Sequence, residues 1–455
     1  MNLSRALRLT KIPRVAIVGA GGKTSALKNL AQELPKPVVV STTTHLGDWQ
    51  TRFTDRHILL SDDFDWGSIE ENLTSGIILI TQKHDGDRLI GLSTFQLNKV
   101  LELCDSHQLP LLLECDGSHQ LPLKAPKINE PPIPEFVDTV VVVAGLSGLG
   151  KPLDQETVYN PELFSRLGDL QSGARITSDT LEKVIGHKKG GLKNIPNHAN
   201  RILLLNQAEN PSLQIQAGRI ANKLQDCFNS IIIANLNRKM IHTVFEPTAA
   251  IILAAGSSLR YGQTKQLLKY HGVTFIKAVI RSANDAGLNP IVVVTGANAN
   301  TINQELMDIQ PEMKIIFNPS WQDGQSTSIR AGIDAIEKYY DSKHNRVDNG
   351  LKSYKSGSAI FLLADQPHVT PTVLKRLVDE HRRTLAPVIA PLVDGQRTNP
   401  VLFDRETFTD LRNLEGDIGG RGIFSKYPPV YFDWNDFSLI LDVDSPADYE
   451  RLLIE

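Results

Sequence analysis

The stretch VAIVGAGGKTSALKNL (residues 15–30) decides the architecture of the first half of the chain. Continuous apolar residues run into the glycine turn Gly19-Ala20-Gly21-Gly22, and Lys23-Thr24-Ser25 open a segment with helical spacing. A buried strand, a glycine loop and a helix N-terminus, in that order, present backbone N–H groups and a dipole to a phosphate. A full P-loop, G-x-x-x-x-G-K-S/T, needs its first glycine at position 17, where this chain has Ile17. The loop is therefore compact, yet it keeps a lysine for the β/γ-phosphates and a hydroxyl for Mg²⁺. A tight turn with a solvated lysine is the competing reading.

Outward from this loop, short apolar runs alternate with helical patterns. VAIVG (15–19), PVVVS (37–41), GIILIT (76–81), PLLLEC (110–115), TVVVVAG (139–145), ILLLN (202–206) and IIIANL (231–236) read as strands buried on both faces, as in a parallel sheet. The pattern restarts with IILA (251–254), followed by IVVVT (291–295), KIIF (314–317), AIFLLA (359–364), PVIAP (387–391) and LILDV (439–443). The reading is α/β throughout. An NTP-binding domain covers 1–238, a linker 239–248, and a second α/β domain 249–455. The polar segment 340–358 lacks a helical period and reads as a mobile loop.

Bulk properties narrow the class. The 455 residues are 41% apolar and 22% charged, with a formal charge of −3 and no block of like charge. That argues against nucleic acid as a partner and against a polybasic membrane patch. Cys104, Cys115 and Cys227 lack zinc or disulfide spacing. The basic N-terminus has no apolar signal-peptide core, and no run approaches a membrane span, so a cytoplasmic protein is expected.

In the first half, Glu114 and Asp116 end an apolar strand as a Walker B acid does. Alternation puts both on one face and Cys115 on the other, as a small buried hydrophobe. Thr42, Thr43, Thr44 and His45 close the neighbouring strand, to contact phosphate or metal or simply to suit a strand. Lys124 and Lys127 flank Pro126 as an anion clamp or as solvated loop lysines. Asn206-Gln207-Ala208-Glu209 echoes the N-K-x-D box, but Glu209 is one methylene longer and Gln207 replaces the lysine, so ATP and GTP both stay open.

The second half carries LAAGSSLRYGQTKQLL (253–268). A strand ends at Leu253-Ala254. The small residues Ala255, Gly256, Ser257 and Ser258 let amides approach an anion, and Arg260 and Lys265 supply cations around the bend at Gly262. A solvated strand–helix turn is the alternative. Asp365 follows a buried strand at the carboxyl edge, where it holds Mg²⁺ or caps a helix. Asp442 and Asp444 alternate about Val443 as a further metal contact, with Asp444 also placed to cap a helix. Asp417, between glycines, is a ligand or a turn residue.

Two resemblances follow from these motifs. Residues 12–210 resemble the YqeC-type accessory proteins of selenium-dependent molybdenum hydroxylases. The match runs through GAGGKTS (19–25), VVVSTTTHLG (38–47), LLLECDGSHQLPLKAP (111–126), VVVAGLSGLGKPLDQETVYNPELF (141–164), HKKGGLKNIP (187–196) and LLLNQAE (203–209). The loop itself is similar to the compact G-T-x-G-K-T of Mur-type ligases.

Residues 249–455 resemble MobA-like nucleotidyltransferases, most closely the MocA-type molybdenum cofactor cytidylyltransferases, whose LAAGxSxRMGxxKxLL differs only in Met for Tyr261. NPSWQDGQSTSIRAG (318–332), LLADQPHVT (362–370), LEGDIGGRGIF (414–424) and LDVDSPADY (441–449) continue the match.

The resemblance implies a three-layer α/β/α nucleotide-diphospho-sugar-transferase fold and transfer of CMP from CTP to molybdopterin phosphate. It implies Mg²⁺ or Mn²⁺, catalysis by Arg260, Lys265 and Asp365, and acceptor binding by Gln325, Ser326, Ser328, Asn399 and Asp417. For the first half the residues themselves point to binding and hydrolysis of an NTP by Gly19, Gly21, Gly22, Lys23, Thr24, Ser25, Glu114, Asp116, Asn206 and Glu209, while the resemblance says little about the reaction and implies a molybdenum hydroxylase apo-enzyme as partner. Ala255 adds a methyl where relatives specific for guanine carry glycine, which favours the smaller cytosine. Thr398 replaces a family glycine in Arg397-Thr398-Asn399-Pro400, so a sugar or terpenoid phosphate acceptor, with the first half a nucleotide-switched chaperone, stays open.

Overall fold

The computed structural model describes the chain except residues 62, 63, 65, 87, 258–260, 310–312, 346–355 and 455. It divides into two compact units, Met1–Phe245 and a second that opens at Glu246.

In the first unit the apolar runs form β1 (Arg14–Gly19), β2 (Val38–Thr42), β3 (Arg56–Leu60), β4 (Ile77–Gln82), β5 (Leu111–Glu114), β6 (Thr139–Gly145), β7 (Asn200–Asn206), β8 (Ser230–Asn235) and β9 (Met240–Phe245). They make a nine-stranded sheet in the order β9-β8-β7-β6-β1-β5-β2-β4-β3. Every pairing is parallel except β8 with β9. The chain leaves β1 toward one side and returns as β6 on the other, so the Gly19 loop sits at a topological switch point.

Both faces are covered, which is why the strands read as unbroken apolar runs. Ala16, Val18, Leu113 and Val142 pack with Phe164, Leu181, Val184 and Ile220 on one face. On the other, α1 (Lys23–Glu33) packs on β1 and β5 with Leu27 and Leu30 fully buried.

The expected linker 239–248 is instead strand at both ends: Met240–Phe245 is β9, and the next strand starts at Thr248. Its sequence, MIHTVF, is interrupted by His242 and Thr243 because β9 is an antiparallel edge with only Val244 and Phe245 buried. Strand β3 was likewise unmarked, since RHILL buries only its last residue.

The second unit contains β10 (Thr248–Ala254), β11 (Ile291–Thr295), β12 (Lys314–Phe317), β13 (Ser358–Leu363), β14 (Val388–Val393), β15 (Gln396–Arg397), β16 (Val401–Asp404) and β17 (Val430–Asp433). The order is β12-β11-β10-β13-β16-β14-β15, with β17 beside β14. Strands β10 to β13 are mutually parallel and β16 is antiparallel. Helices α2 (Phe275–Asp285) and α4 (Pro371–Thr384) cover Ala250, Ile252 and Leu362 on one face. Helix α3 (Gln325–Asn345) covers Ala249, Ile251 and Phe361 on the other. Three layers result.

Two expectations fail here. LILDV is not a strand: Phe437–Ile440 is a 3₁₀ turn and Leu441–Asp444 joins no sheet. Val443 is nevertheless buried, against Phe275 and Leu452, so the apolar signal was real but served a packing contact. The loop expected at 340–358 begins as helix, because α3 runs on to Asn345; residues 346–355 lie outside the described set.

Candidate functional site

In the first unit the glycines of the loop are required by what surrounds them. Gly19, Gly21 and Gly22 have φ of +96°, +82° and +131°. A Cβ on Gly21 would lie 2.3 Å from the Gly145 Cα, and one on Gly22 would lie 2.1 Å from the Asn206 Nδ2. The loop is therefore pressed against β6 and β7, and α1 starts at Lys23 with its first-turn amides facing the cradle.

Lys23 is buried and folds back over the loop. Its Nζ donates to Gly19 O at 2.8 Å and to Ser118 Oγ at 3.0 Å, and lies 3.3 Å from Asp116 Oδ1 and 3.8 Å from Glu114 Oε1. Thr24 Oγ1 reaches Glu114 Oε2 at 3.5 Å. Glu114 and Asp116 thus meet the loop together, as their alternation predicts.

Asp116 is more heavily engaged than a Walker B analogy suggests. Gly19 N–H reaches both its oxygens, and Lys124 Nζ lies 2.9 Å from Oδ2. Lys124, whose role the sequence left open, has a side chain only 2% exposed and also pairs with Glu130 at 2.9 Å. Burial works against the Glu130 charge, but Lys124, the Lys127 N–H and the Tyr159 hydroxyl outweigh it and hold the carboxyl below its usual range. Burial pushes the Cys115 thiol up to about 12, which fits a small hydrophobe and not a nucleophile.

Asn206 is placed differently from a base-reading residue. Its Nδ2 donates to Gly21 O at 2.8 Å and its Oδ1 accepts from Leu236 N at 3.0 Å, so the side chain props the loop. Glu209 is exposed, and Ser25 Oγ donates to Asn237 Oδ1 at 3.3 Å. Thr43, whose N–H donates to Glu114 O at 3.1 Å, faces the Cys115 thiol with its hydroxyl, and the buried Thr44 hydroxyl has no hydrogen-bond partner.

In the second unit the parallel strands place their carboxyl ends on one edge, and the motifs gather there. Ala254 and Ala255 are buried, Leu253 and Ser257 half-buried and Gly256 exposed, while Ser258 and Arg260 lie outside the described residues. Gly262 has φ +78°. Gln266 Nε2 donates to Gly256 O at 3.4 Å, tying the LAAG turn to the Lys265 segment.

Lys265 Nζ donates to Asp444 Oδ1 at 2.7 Å. Gln366 Nε2 donates to Asp442 Oδ1 at 3.0 Å. Burial raises the Asp365 pKa, Lys265 opposes the rise, and Asp442 and Asp444 add to it. The three carboxylates and the lysine therefore share one electrostatic neighbourhood. Among the described residues no three His, Cys, Asp or Glu side chains form a ready metal cage. Mg²⁺ seldom uses one: it keeps waters and takes one or two carboxylates plus substrate phosphates. A half-buried carboxylate within the field of two others is a donor set that fits such a hard cation.

The acceptor candidates are partly assembled. Gln325 N donates to Asp417 Oδ1 at 3.2 Å and Ser326 N to Gly416 O at 3.3 Å. Gly324, at φ +111°, has no room for a Cβ, which would lie 2.3 Å from the Gly416 carbonyl. Ser328 Oγ accepts from Asn318 Nδ2 at 3.0 Å, and the buried Ser326 Oγ has no partner. A Cβ on Gly296 would meet both Ala255 and Trp321, so this segment abuts the LAAG turn. Asn399 is half-buried on the turn before β16, and Thr398 Oγ1 donates to Leu439 O.

Sequence reasoning missed His368. It follows Asp365-Gln366-Pro367, is 4% exposed, and neither ring nitrogen has a hydrogen-bond partner. Burial drives its pKa down to about 4 against the opposing pull of Asp442 and Asp436, so the ring is neutral. A polar residue directly after the D-Q-P turn was the available signal.

Residues 15–162 match the family model for YqeC protein, and residues 250–430 that for the MobA-like NTP transferase domain. The chain is 30% identical over 214 residues to the uncharacterized protein YqeC of Escherichia coli (strain K12), covering 44% of this chain and 79% of that one. It is 24% identical over 199 residues to the molybdenum cofactor cytidylyltransferase of the same organism, covering 44% and 92% respectively. A probable molybdenum cofactor guanylyltransferase of Natranaerobius thermophilus is 24% identical over 148 residues, covering 32% and 61%. No helix among the described residues is long and apolar enough to cross a membrane.

Proposed function

For a chain that belongs to the YqeC family through its first unit and carries a MobA-like NTP transferase domain in its second, we propose a two-part enzyme of molybdenum cofactor maturation. The second unit transfers CMP from CTP to the phosphate of molybdopterin. A phosphate oxygen of the acceptor attacks the α-phosphorus, the bond to the β-phosphate oxygen breaks, and pyrophosphate leaves. The attacking monoester has a second pKa of about 6, so it is ionised at neutral pH and needs no general base. Rate then comes from alignment and charge neutralisation.

The observation that carries this reading is the grouping of Lys265 with Asp365, Asp442 and Asp444 at the carboxyl edge of the sheet. Lys265 and Arg260 bind the triphosphate. Asp365, with Asp442 and Asp444, would hold Mg²⁺ or Mn²⁺, which neutralises phosphate charge when bound. Gln325, Ser326, Ser328, Asn399 and Asp417 position the acceptor, and Leu253 to Ser258 with Gly262 line the nucleotide. Incubation of the full chain with labelled CTP or GTP and molybdopterin tests the proposal. Pyrophosphate release is expected with CTP and molybdopterin, and its absence with CTP would refute the proposal.

The first unit binds ATP or GTP through Gly19 to Ser25, with Glu114 beside the Thr24 hydroxyl, and hydrolyses it in a maturation step for a selenium-dependent molybdenum hydroxylase. Lys23 over a helix N-terminus with two acids in reach supports this. Lys23→Ala should abolish nucleotide binding there.

A further inference from the structure

We infer that Lys265 is an internal counter-ion, holding without nucleotide a carboxylate that the divalent cation needs and releasing it when a triphosphate arrives. The inference rests on the transferase reading of the second unit.

The Lys265 side chain is 10% exposed and that of Asp444 is 65% exposed. The ammonium therefore reaches out from the protein to a carboxylate on the solvent side, 2.7 Å away. Lys265 is also the cation that opposes the upward push on half-buried Asp365. One ammonium thus serves two of the three acids, while Gln366 holds Asp442.

The backbone that carries the acid is held in place. Asp444 N and Ser445 N both donate to Asp448 Oδ2, and Val443 is buried against Phe275 and Leu452. The carboxylate therefore stays at the site, and the lysine, on its flexible four-carbon stem, is suited to exchange partners.

A divalent cation entering the unliganded site has to displace an ammonium already in contact. A triphosphate offers that ammonium a more highly charged partner. Once Lys265 turns to the phosphates, Asp444 and Asp365 are left as uncompensated oxygen donors. Nucleotide and cation then raise each other's affinity, reciprocally, as linkage requires. Removing a lysine proposed as catalytic should therefore tighten cation binding when no nucleotide is present.

The test uses the full chain without nucleotide, reading free Mn²⁺ by electron paramagnetic resonance. Lys265→Met should bind Mn²⁺ roughly two- to fivefold more tightly than the unaltered protein, the scale of one partly exposed ion pair. Lys265→Arg should stay near the unaltered value, and adding Asp444→Asn to Lys265→Met should remove the gain. Any Mn²⁺ bound by the first unit is common to all of these proteins and cancels. Unchanged or weaker binding by Lys265→Met, or a gain that survives Asp444→Asn, would overturn the exchange. Should Lys265→Met fail to fold, Lys265→Gln is read in its place. Failure of the transferase reading shows separately, as absent pyrophosphate release by the unaltered protein.

Discussion

Asp116 receives the Gly19 N–H on both carboxylate oxygens, at 3.1 and 3.0 Å. With Lys23 and Lys124 at its two oxygens as well, it is the acid that shapes the cradle. Glu114 is the acid nearer the Thr24 hydroxyl. The two should therefore fail differently when altered. Asp116→Ala strips a buried partner from two ammoniums, which costs about 3–5 kcal/mol. Glu114→Gln keeps the side-chain shape and leaves Lys23 its Asp116 partner, so it should cost less stability than Asp116→Ala while lowering NTP turnover. Thermal melts and steady-state hydrolysis separate the two outcomes.

Asn206 gives a second contrast. Because its amide links Gly21 O to Leu236 N, Asn206→Ala leaves two buried backbone groups unpaired. Each orphaned group costs roughly 1–3 kcal/mol, so the melting temperature should fall. ATP and GTP affinity should drop by the same factor, because the loop and not the base is affected. A change in the ATP-to-GTP ratio, measured by calorimetry, would return Asn206 to a base-reading role.

Asn206 also marks where the sequence stops being legible. Unbroken runs such as TVVVVAG identify a strand because both faces are buried, and that strand was found at 139–145 with the bounds expected. The glycine loop, the LAAG turn and the position of Asp365 after β13 follow from such runs. What lies across them does not. Asn206 reaches Gly21 over 185 residues, and Lys265 reaches Asp444 over 179. Those pairings depend on strand order, which local patterns do not encode. Edge strands fail for another reason: MIHTVF and RHILL bury little, so their composition resembles a linker. LILDV misled in the opposite sense, since an apolar Val443 is needed for packing whether or not a ladder forms.

Ala255 tests base choice. It is 7% exposed and its carbonyl accepts from Ala297 N at 3.2 Å, so its backbone is fixed and only the methyl is free to vary. Ala255→Gly should shift the ratio of kcat/KM for GTP over CTP upward by roughly tenfold, the scale of one methyl's worth of pocket shape. Pyrophosphate release with each nucleotide at matched concentration reads the ratio. An unchanged ratio would place the base elsewhere.

His368 links stability to pH in a defined direction. Its ring titrates near 4 in the folded protein, against about 6.5 when unfolded, because burial disfavours the charge. Between those values the unfolded chain binds the extra proton, so stability rises with pH across that window and is lost as pH falls through it. The shift corresponds to about 3 kcal/mol for a group this buried. His368→Phe, which cannot take the proton, should flatten the pH dependence of the second unit's thermal midpoint between pH 4 and 6.5. A variant that keeps the full slope would show that other groups set it. The same variant reports on function: if the unpartnered nitrogens meet the acceptor, KM for molybdopterin rises while KM for CTP stays constant.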